Sequence, residues 1–447
     1  MTSASTLTAR RVALRGDLLD FVDEPSWDVT QSPAVRWRPD HWLMVEDGVI
    51  LGAQVQAPGP DWQRVDHQGR LVLPGFIDAH VHSAQIDVLG SWGTELLQWL
   101  NQHTFPAELR MADPGHAQAI STLFVQALLS HGTTTACVFP SVHPCSVDAL
   151  MTAAWERGMR LVAGKVMMDR HAPPALCDTV QSADQDNRAL VRRWHGKGRL
   201  SYALTPRFAI TSTPEQLTSA GHLLAEVPDL YVQTHVAENQ DEVRWVGQLF
   251  PGARSYLDVY DRCGLLGPRS ILAHGIWLDE DDWATLQERG ACVAFCPSSN
   301  LFLGSGLFHW AAARQASVAV CLASDVGGGT SLSMRRTMLD AYKVLALQQH
   351  RMSAYGLLHA CTRGAAKALD LDGEIGSLER GRMADLCVWD WASTPVAQRR
   401  QAVARDLHER LFAWVTAGDE ADLVQTWVAG VPRHERSGDN IIRPAYC

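Results

Sequence analysis

The sequence predicts an α/β fold: a (β/α)8 TIM-like barrel with a small β-sandwich domain built from both chain termini. From residue 70 to about residue 385, short apolar runs alternate with longer helical patterns. About eight such βα units over roughly 300 residues are typical of a parallel barrel. The flanking segments show short strand patterns and turns instead. We therefore expect residues 1–69 and 386–447 to form the β-sandwich domain, and residues 70–385 to form the barrel.

The N-terminal segment is predicted to supply hairpins to the small domain. Residues 42–52 (WLMVEDGVILG) contain two apolar runs around Asp47-Gly48, and an Asp-Gly pair between such runs is a hairpin signal. Residues 53–69 contain Pro and Gly and are predicted to be irregular.

The barrel segment supplies one candidate strand before His80 and seven more along the chain. The predicted strands are 133–139, 161–167, 200–205, 230–235, 270–274, 291–295 and 317–324. Predicted helices include 117–130, 214–225, 279–289 and 333–349. A doubly wound open sheet is the main alternative, but no G-x-G-x-x-G follows the first strand.

The C-terminal tail returns to strand patterns. Residues 385–389 and 423–429 are apolar and β-prone, and a helical pattern lies near 403–417. We expect this tail to pair with the N-terminal hairpins in the small domain.

Composition excludes several classes of protein. The chain has 447 residues and a formal net charge of −10, which argues against binding to nucleic acid or to an anionic membrane surface. The N-terminus lacks the apolar core of a signal peptide, and no apolar run approaches the roughly 18 residues that cross a bilayer. The ten Cys include no C-x-x-C pair. We therefore expect a reduced, cytoplasmic protein.

Five potential metal ligands lie at the C-terminal ends of predicted strands: His80, His82, His235, His274 and Asp325. Residues i and i+2 of a strand point the same way, and the strand ends of a barrel all open on one face. Imidazoles with a carboxylate suit Zn²⁺ or Fe²⁺. Taken singly, a histidine at a strand end is more often a hydrogen-bonded surface or core residue, and Asp325 before three glycines is also typical of a turn.

Three other features lie near these positions. Glu238 follows His235 by three residues and can accept the proton of an activated water and pass it to a leaving nitrogen; alone, it is typical of a solvated helix start. The run 327–329 (GGG) lacks the Lys-Ser/Thr of a phosphate-binding loop. Residues 296–300 (CPSSN) are predicted to form a turn, and Cys296 has no clear histidine partner for nucleophilic catalysis.

These motifs resemble the amidohydrolase superfamily. Residues 74–82 (PGFIDAHVH) are similar to its first-strand signature, and the order His-x-His, His, His, Asp fits its mononuclear deaminase branch. Where dinuclear members carry a bridging carboxylated lysine, this chain has Pro206-Arg207. Residues 376–386 (GSLERGRMADL) resemble the superfamily's return to the small β-domain, so the resemblance covers nearly the whole chain.

Within that superfamily the chain resembles the guanine deaminases. The similar segments are 82–85 (HSAQ), 96–100 (LLQWL), 104–108 (TFPAE), 205–209 (TPRFA), 234–239 (THVAEN) and 324–328 (SDVGG). The resemblance implies that Gln85 and Arg207 bind the polar edge of a purine and that Phe208 forms a flat apolar wall. Without this resemblance, Arg207 is more often expected to form an ion pair than to bind a substrate.

The activity that the resemblance implies is hydrolytic deamination of guanine to xanthine and ammonia. It implies Zn²⁺, with Fe²⁺ possible, held by His80, His82, His235 and Asp325. Asp325 takes a proton from the attacking water, Glu238 protonates the ring nitrogen, and His274 orients the water or the tetrahedral intermediate. A homodimer is common in the resembled family.

Two alternatives remain open at this point. The first is a deaminase or aminohydrolase of another amino-heterocycle, such as a pterin, 8-oxoguanine, cytosine or a triazine. The second is a catalytically silent scaffold with the same fold. Such scaffolds lose metal ligands, whereas this chain keeps all five together with Glu238.

Overall fold

The computed structural model describes residues 10–92 and 96–437. The strands, in chain order, are β1 (Arg11–Phe21), β2 (Val35–Glu46), β3 (Val49–Gln54), β4 (Gln63–Pro74), β5 (Phe76–His82), β6 (Thr133–Phe139), β7 (Arg160–Ala163), β8 (Val166–Met167), β9 (Leu200–Pro206), β10 (Tyr231–Val236), β11 (Ser270–His274), β12 (Cys292–Phe295), β13 (Val320–Leu322), β14 (Leu386–Trp389), β15 (Leu423–Val428) and β16 (Val431–Glu435).

The α-helices are α1 (Leu96–Trp99), α2 (Phe105–Arg110), α3 (Pro114–Ser130), α4 (Pro144–Arg157), α5 (Val180–Trp194), α6 (Pro214–Glu226), α7 (Gln240–Leu249), α8 (Tyr256–Arg262), α9 (Glu280–Arg289), α10 (Pro297–Phe302), α11 (Trp310–Gln315), α12 (Met334–Leu347), α13 (Ala354–Ala360), α14 (Arg363–Ala368), α15 (Pro395–Ala402) and α16 (Leu407–Ala417). A π-helical turn (Leu100–Thr104) lies between α1 and α2, and short 3₁₀ turns occupy Ser83–Val88, Pro174–Leu176, Ala209–Thr211 and Glu420–Asp422.

The predicted barrel is confirmed. Eight parallel strands pair in the order β13-β12-β11-β10-β9-β7-β6-β5, and the short strand β8 pairs with β9. Helices between successive strands cover the outside, as expected for βα units. The C-terminal ends of these strands therefore meet on one face.

Hydrogen bonds between the first and last barrel strands bring the ends of the sheet together. The Asp78 carboxylate on β5 accepts hydrogen bonds from the backbone N–H of Ser324, at 3.0 Å, and from its hydroxyl. The backbone N–H of Asp325 donates to the carbonyl of His80 at 2.9 Å, and that of His82 donates to Val326 at 2.9 Å. These bonds hold the two chain segments that carry three of the predicted ligands.

The barrel interior is filled by small side chains. All eight strands of the ring contribute to one buried cluster that contains alanines and cysteines, among them Ala79, Cys137, Ala203, Cys292 and Cys321. Small residues suit this position because side chains from all strands converge there. Residues of α14 and the segment after it join the cluster.

The small domain contains a separate, mostly antiparallel sheet formed by both ends of the chain, as predicted. Its seven strands lie in the order β16-β15-β14-β4-β1-β2-β3, and only β1 and β4 pair in parallel. Asp47 and Gly48 connect β2 to β3, which confirms the hairpin. Strand β4 spans residues 63–74 and so crosses the expected boundary at residue 70; the exact domain boundaries stay predictions.

Gly75 alone separates β4 from the first barrel strand. A Cβ at this position would lie 2.1 Å from the Thr134 hydroxyl oxygen. Glycine therefore permits the close approach that turns the chain from one sheet into the other.

The local predictions differ from the structure in several places, and the strand predicted over 317–324 is shortened to Val320–Leu322. Residues 63–69, predicted to be irregular, belong to β4. The strand predicted over 161–167 is broken at Gly164, where a Cβ would lie 1.7 Å from the Ala203 carbonyl oxygen. Residues 297–302 form the short helix α10 rather than a turn. Helix α15 was not predicted, because its sequence is polar and has little periodicity.

Within residues 10–92 and 96–437, no helix is long and apolar enough to cross a bilayer. The outer parts of the two predicted β segments, residues 1–9 and 438–447, lie outside the described residues.

Candidate metal centre and active site

The ends of four barrel strands bring all five predicted ligands together. The Asp325 Oδ1 atom lies 3.2 Å from the Nε2 atoms of both His80 and His82. The Nε2 atom of His82 is 3.1 Å from that of His80 and 3.3 Å from that of His235. His274 Nε2 lies 3.7 Å from Asp325 Oδ2. Four candidate ligand atoms all lie within 4.8 Å of one another; they come from His80, His235, His274 and Asp325, one atom from each.

These distances fit a shared cation. Two nitrogens bound to one tetrahedral ion at about 2.0–2.1 Å are themselves about 3.3–3.4 Å apart. The separations of 3.1 and 3.3 Å between imidazole nitrogens are close to that value. Lone pairs that face one another at this distance repel unless a cation or a proton lies between them.

The protonation states of the clustered side chains favour a cation, rather than a proton, between the imidazole nitrogens. Burial lowers the pKa of His82 to about 3, and burial together with the neighbouring imidazoles lowers the pKa of His235 well below its usual range. These rings are therefore neutral at physiological pH, as metal ligands must be. Burial opposes ionisation of Asp325, but its contacts with His80 and His82 hold its pKa well below the usual value.

Hydrogen bonds outside the cluster fix two of the rings. The Nδ1 atom of His235 lies 2.6 Å from the backbone carbonyl oxygen of Arg207, which only accepts, so this nitrogen carries the proton. The Nδ1–H of His274 donates to Asn300 Oδ1 at 2.8 Å. In both residues Nε2 is left to face the cluster, which is the usual arrangement of metal-binding histidines.

The backbone at the two last ligands is unusual. His274 has φ +73° and Asp325 has φ +49°, in the left-handed region that non-glycine residues seldom occupy. Such conformations concentrate at functional sites, where the surrounding structure holds them. Here the conformation turns the chain sharply just as each side chain reaches the site.

Glu238 lies beside the cluster. Its Oε2 atom is 3.4 Å from His274 Nε2, and its Oε1 atom accepts a hydrogen bond from the Ser305 hydroxyl at 3.0 Å. Burial, followed by the negative charge of Asp325, raises the pKa of Glu238 to about 8. A bound cation would lower that pKa from there. A carboxyl with a pKa near the working pH is suited to proton transfer.

A cavity over the cluster contains the three predicted substrate contacts, Gln85, Arg207 and Phe208. Its wall also includes His82, Glu238 and Asp325, and Leu96, Trp99 and Leu100 add an apolar surface. The cavity therefore combines an apolar slot with a few directed polar groups, as small-molecule sites do.

Four residues with contacts at the site were not singled out from the sequence. Asp78 joins the strands of His80 and Asp325, Asn300 orients His274, and Ser305 contacts Glu238. Glu108 on α2 pairs with Arg207. Asp78 lies inside the first-strand motif and Glu108 ends the similar segment 104–108, and these were the available signals. Asn300 and Ser305 come from a helix and a loop whose positions follow no repeat.

Comparison with known proteins agrees with this geometry. The model of the Amidohydrolase family matches residues 71–433. The chain belongs to the amidohydrolase family. The matched segment includes all five predicted ligands, so the part of the chain that matches the family also carries the candidate metal centre.

Relatives within the amidohydrolase family are guanine deaminases. Guanine deaminase of Escherichia coli (strain K12) is 44% identical over 433 residues, which cover 95% of this chain and 98% of that protein. The solved structure of the E. coli guanine deaminase has a TM-score of 0.91 and covers 95% of this chain and 100% of that one, at 43% identity. The resemblance that the sequence motifs indicated is thereby confirmed.

A more distant solved structure supports the fold. Guanine deaminase from C. acetobutylicum, with guanine bound in its active site, has a TM-score of 0.86 at 24% identity and covers 95% of this chain and 100% of that one.

Proposed function

We propose that this chain catalyses the hydrolytic deamination of guanine to xanthine and ammonia. The observation that carries the proposal is the 44% identity to E. coli guanine deaminase across nearly both chains. The cavity adds independent support, since it combines a histidine–carboxylate cluster, a buried proton donor and an arginine in one apolar slot.

A divalent cation fits the cluster, and we assign Zn²⁺, with Fe²⁺ accepted by the same ligands. His80, His82, His235 and Asp325 would hold it, with His274 beside them. When bound, the cation activates water for attack and stabilises developing negative charge. The neutral imidazoles and the ionised carboxylate are already in the protonation states that this role requires.

The walls of the cavity suit a purine. Phe208 is 5% exposed and offers its ring as a flat surface. Arg207 and Gln85 supply N–H donors to the carbonyl oxygen O6 and the ring nitrogen N7, the two acceptors on one edge of guanine. These contacts place the amino-bearing carbon toward the cluster and so hold the substrate in an orientation ready for attack.

The proton transfers fall to two carboxyl groups with different environments. Asp325 is ionised and takes a proton from the attacking water. Glu238, with its raised pKa, gives a proton to the ring nitrogen next to the reacting carbon. The amino group leaves as ammonia with the proton that Asp325 has taken, and Glu238 recovers its proton from the hydroxyl group of the adduct as the new carbonyl forms. His274, whose Nε2 lies 3.4 Å from Glu238 Oε2, orients the water and the tetrahedral adduct of the substrate.

The test is direct conversion of guanine. Purified, metal-loaded protein incubated with guanine should give xanthine, identified by mass spectrometry, and ammonia in equal amount. A Glu238→Gln variant with the same metal content is the matched control and should give both products at least about 100-fold more slowly. Unchanged guanine in the presence of wild-type protein with bound metal would contradict the proposal.

We also propose a cytoplasmic homodimer. Nine described cysteines are free thiols, which suits a reducing compartment, and dimers are common among the resembled family. Light scattering coupled to gel filtration gives the mass of the assembly, and twice the chain mass is the expected result.

A further inference from the structure

A buried carboxylate lies behind Gln85 and Arg207, the two side chains that the proposed function assigns to purine binding. Glu108 on α2 is 1% exposed. Its Oε1 atom accepts a hydrogen bond from Arg207 Nη1 at 2.5 Å and a longer one from Gln85 Nε2 at 3.4 Å. Both partners line the cavity, whereas Glu108 itself is not part of the lining. The carboxylate therefore contacts the substrate-binding pair from the protein side.

This contact determines which way the Gln85 amide faces. The Gln85 Oε1 atom accepts a hydrogen bond from the backbone N–H of Gly327 at 3.2 Å. Its Nε2 group donates to a carboxylate oxygen, which cannot donate in return. A flipped amide would place two acceptors together at Glu108 and two donors together at Gly327. The amide is therefore fixed with its oxygen used by the protein and an N–H left over for a ligand.

The same carboxylate fixes the guanidinium of Arg207. Among residues 10–92 and 96–437, Nη1 is the one guanidinium nitrogen that donates to the protein. The ring of Phe105, the first residue of α2, lies 5.5 Å from the Arg207 Cζ atom. The ion pair with Glu108 and the ring of Phe105 restrict the motion of the Arg207 guanidinium group. This restriction lowers the entropy that the group loses when it binds a ligand.

We propose that Glu108 is a positioning residue that turns this wall of the cavity into a donor-only surface. The wall then selects heterocycles that present a carbonyl oxygen and a ring nitrogen, and rejects those that present an amino group at the same edge. The proposal deepens the proposed function and rests on the purine orientation given there. Glu108 does not touch the substrate in this account; it acts through Gln85 and Arg207.

Binding of purines that carry no 2-amino group tests the proposal without relying on turnover. Hypoxanthine presents the carbonyl edge and adenine presents an amino group in its place. Calorimetry on the wild-type, metal-loaded protein should give a Kd for hypoxanthine about tenfold or more below that for adenine, since a site built for one pattern leaves buried groups unpaired with the other. Equal affinity for the two purines would overturn the proposal, and this result needs no variant.

The Glu108→Gln variant then separates positioning from a merely structural role. A glutamine amide leaves Gln85 free to flip, so the preference for hypoxanthine over adenine should shrink by about tenfold, the order of a hydrogen bond to a charged group. A structural role would weaken both ligands by the same factor and leave the ratio unchanged, which would contradict the proposal.

The matched control is Ser141→Ala. The Ser141 hydroxyl donates to the backbone carbonyl of Glu108 at 3.1 Å, so this variant disturbs the same helix without touching the carboxylate, and it should keep the wild-type ratio. The outcome is independent of the activity assay. Failure to deaminate guanine would refute the proposed function, whereas the change in the binding ratio between wild type and Glu108→Gln reports on the positioning by Glu108.

Discussion

Asn300 provides the sharpest test of how the site is held, because its side chain bonds to the ring of His274 and does not line the cavity. It is 1% exposed on α10, and its Oδ1 atom accepts the hydrogen bond from His274 Nδ1–H at 2.8 Å. The backbone of His274 already has φ +73°, so this bond is what sets the rotation of the ring and its tautomer. Asn300→Ala removes the acceptor and leaves the rest of the cavity intact.

The expected loss of activity follows from the Nδ1–H of His274, which Asn300→Ala leaves without an acceptor. A buried donor that loses its partner costs about 1–3 kcal/mol, and removal of a hydrogen-bond partner of a metal-binding histidine typically costs about 10–100-fold in activity or metal affinity. We therefore expect kcat for guanine to fall by about 10–100-fold. The KM should change by less than about threefold, because Arg207, Gln85 and Phe208 are untouched.

Steady-state deamination of guanine, followed together with metal content, measures both quantities. Asn300→Asp is the control, since its carboxylate keeps an acceptor at the same place, and it should retain activity within about tenfold of wild type. Full activity in Asn300→Ala would refute the idea that this bond orients His274. A loss shared equally by both variants would point to general disruption of α10 instead.

Three further predictions concern proton transfer and stability. Glu238→Gln should lower kcat for guanine by about 100- to 10,000-fold with unchanged bound metal, and retained activity would remove Glu238 from the mechanism. Burial, followed by nearby arginines, lowers the pKa of His359 to about 4. The unfolded chain takes up a proton on His359 near pH 6.5, whereas the folded chain does not. The free energy of unfolding should therefore fall by about 2–3 kcal/mol between pH 7 and about pH 4.5. In urea unfolding, His359→Gln should lose about 2–3 kcal/mol less than the wild type over this pH range, and an identical pH dependence of the two proteins would contradict this. Arg335→Met should cost about 3–5 kcal/mol in urea unfolding, because it leaves the buried Asp422 carboxylate, 2.9 Å from Nη1, without its cation; a change below about 1 kcal/mol would show that the pair is not needed.

The convergence of the five predicted metal ligands could be predicted because strand geometry and barrel topology are strong constraints. His80 and His82 lie two residues apart at the end of a strand, and parallel strands in a barrel end on one face. Once the alternation of strands and helices indicated the barrel, His235, His274 and Asp325 had to converge with them. The structure places all five side chains in one cluster.

The residues that contact the side chains of the site from behind could not be predicted in the same way. Asn300 contacts His274, Ser305 contacts Glu238 and Glu108 contacts Arg207. Asn300 and Ser305 come from α10 and the loop after it, and Glu108 comes from a helix inserted after the first strand. Such segments have no repeat that fixes where a side chain points, so a polar residue there is typical of a surface position. The break at Gly164 is similar, because it depends on a contact with Ala203 on a neighbouring strand rather than on local sequence.

The most direct test of the central hypothesis is the location of the bound metal in crystals of the purified enzyme. Anomalous diffraction at the absorption edge of zinc or iron identifies both the element and its position. We predict one ion per chain, within about 2.0–2.2 Å of the Nε2 atoms of His80, His82 and His235 and of an Asp325 oxygen. An active enzyme whose ion lies elsewhere, or whose imidazoles point away from a common centre, would contradict the account.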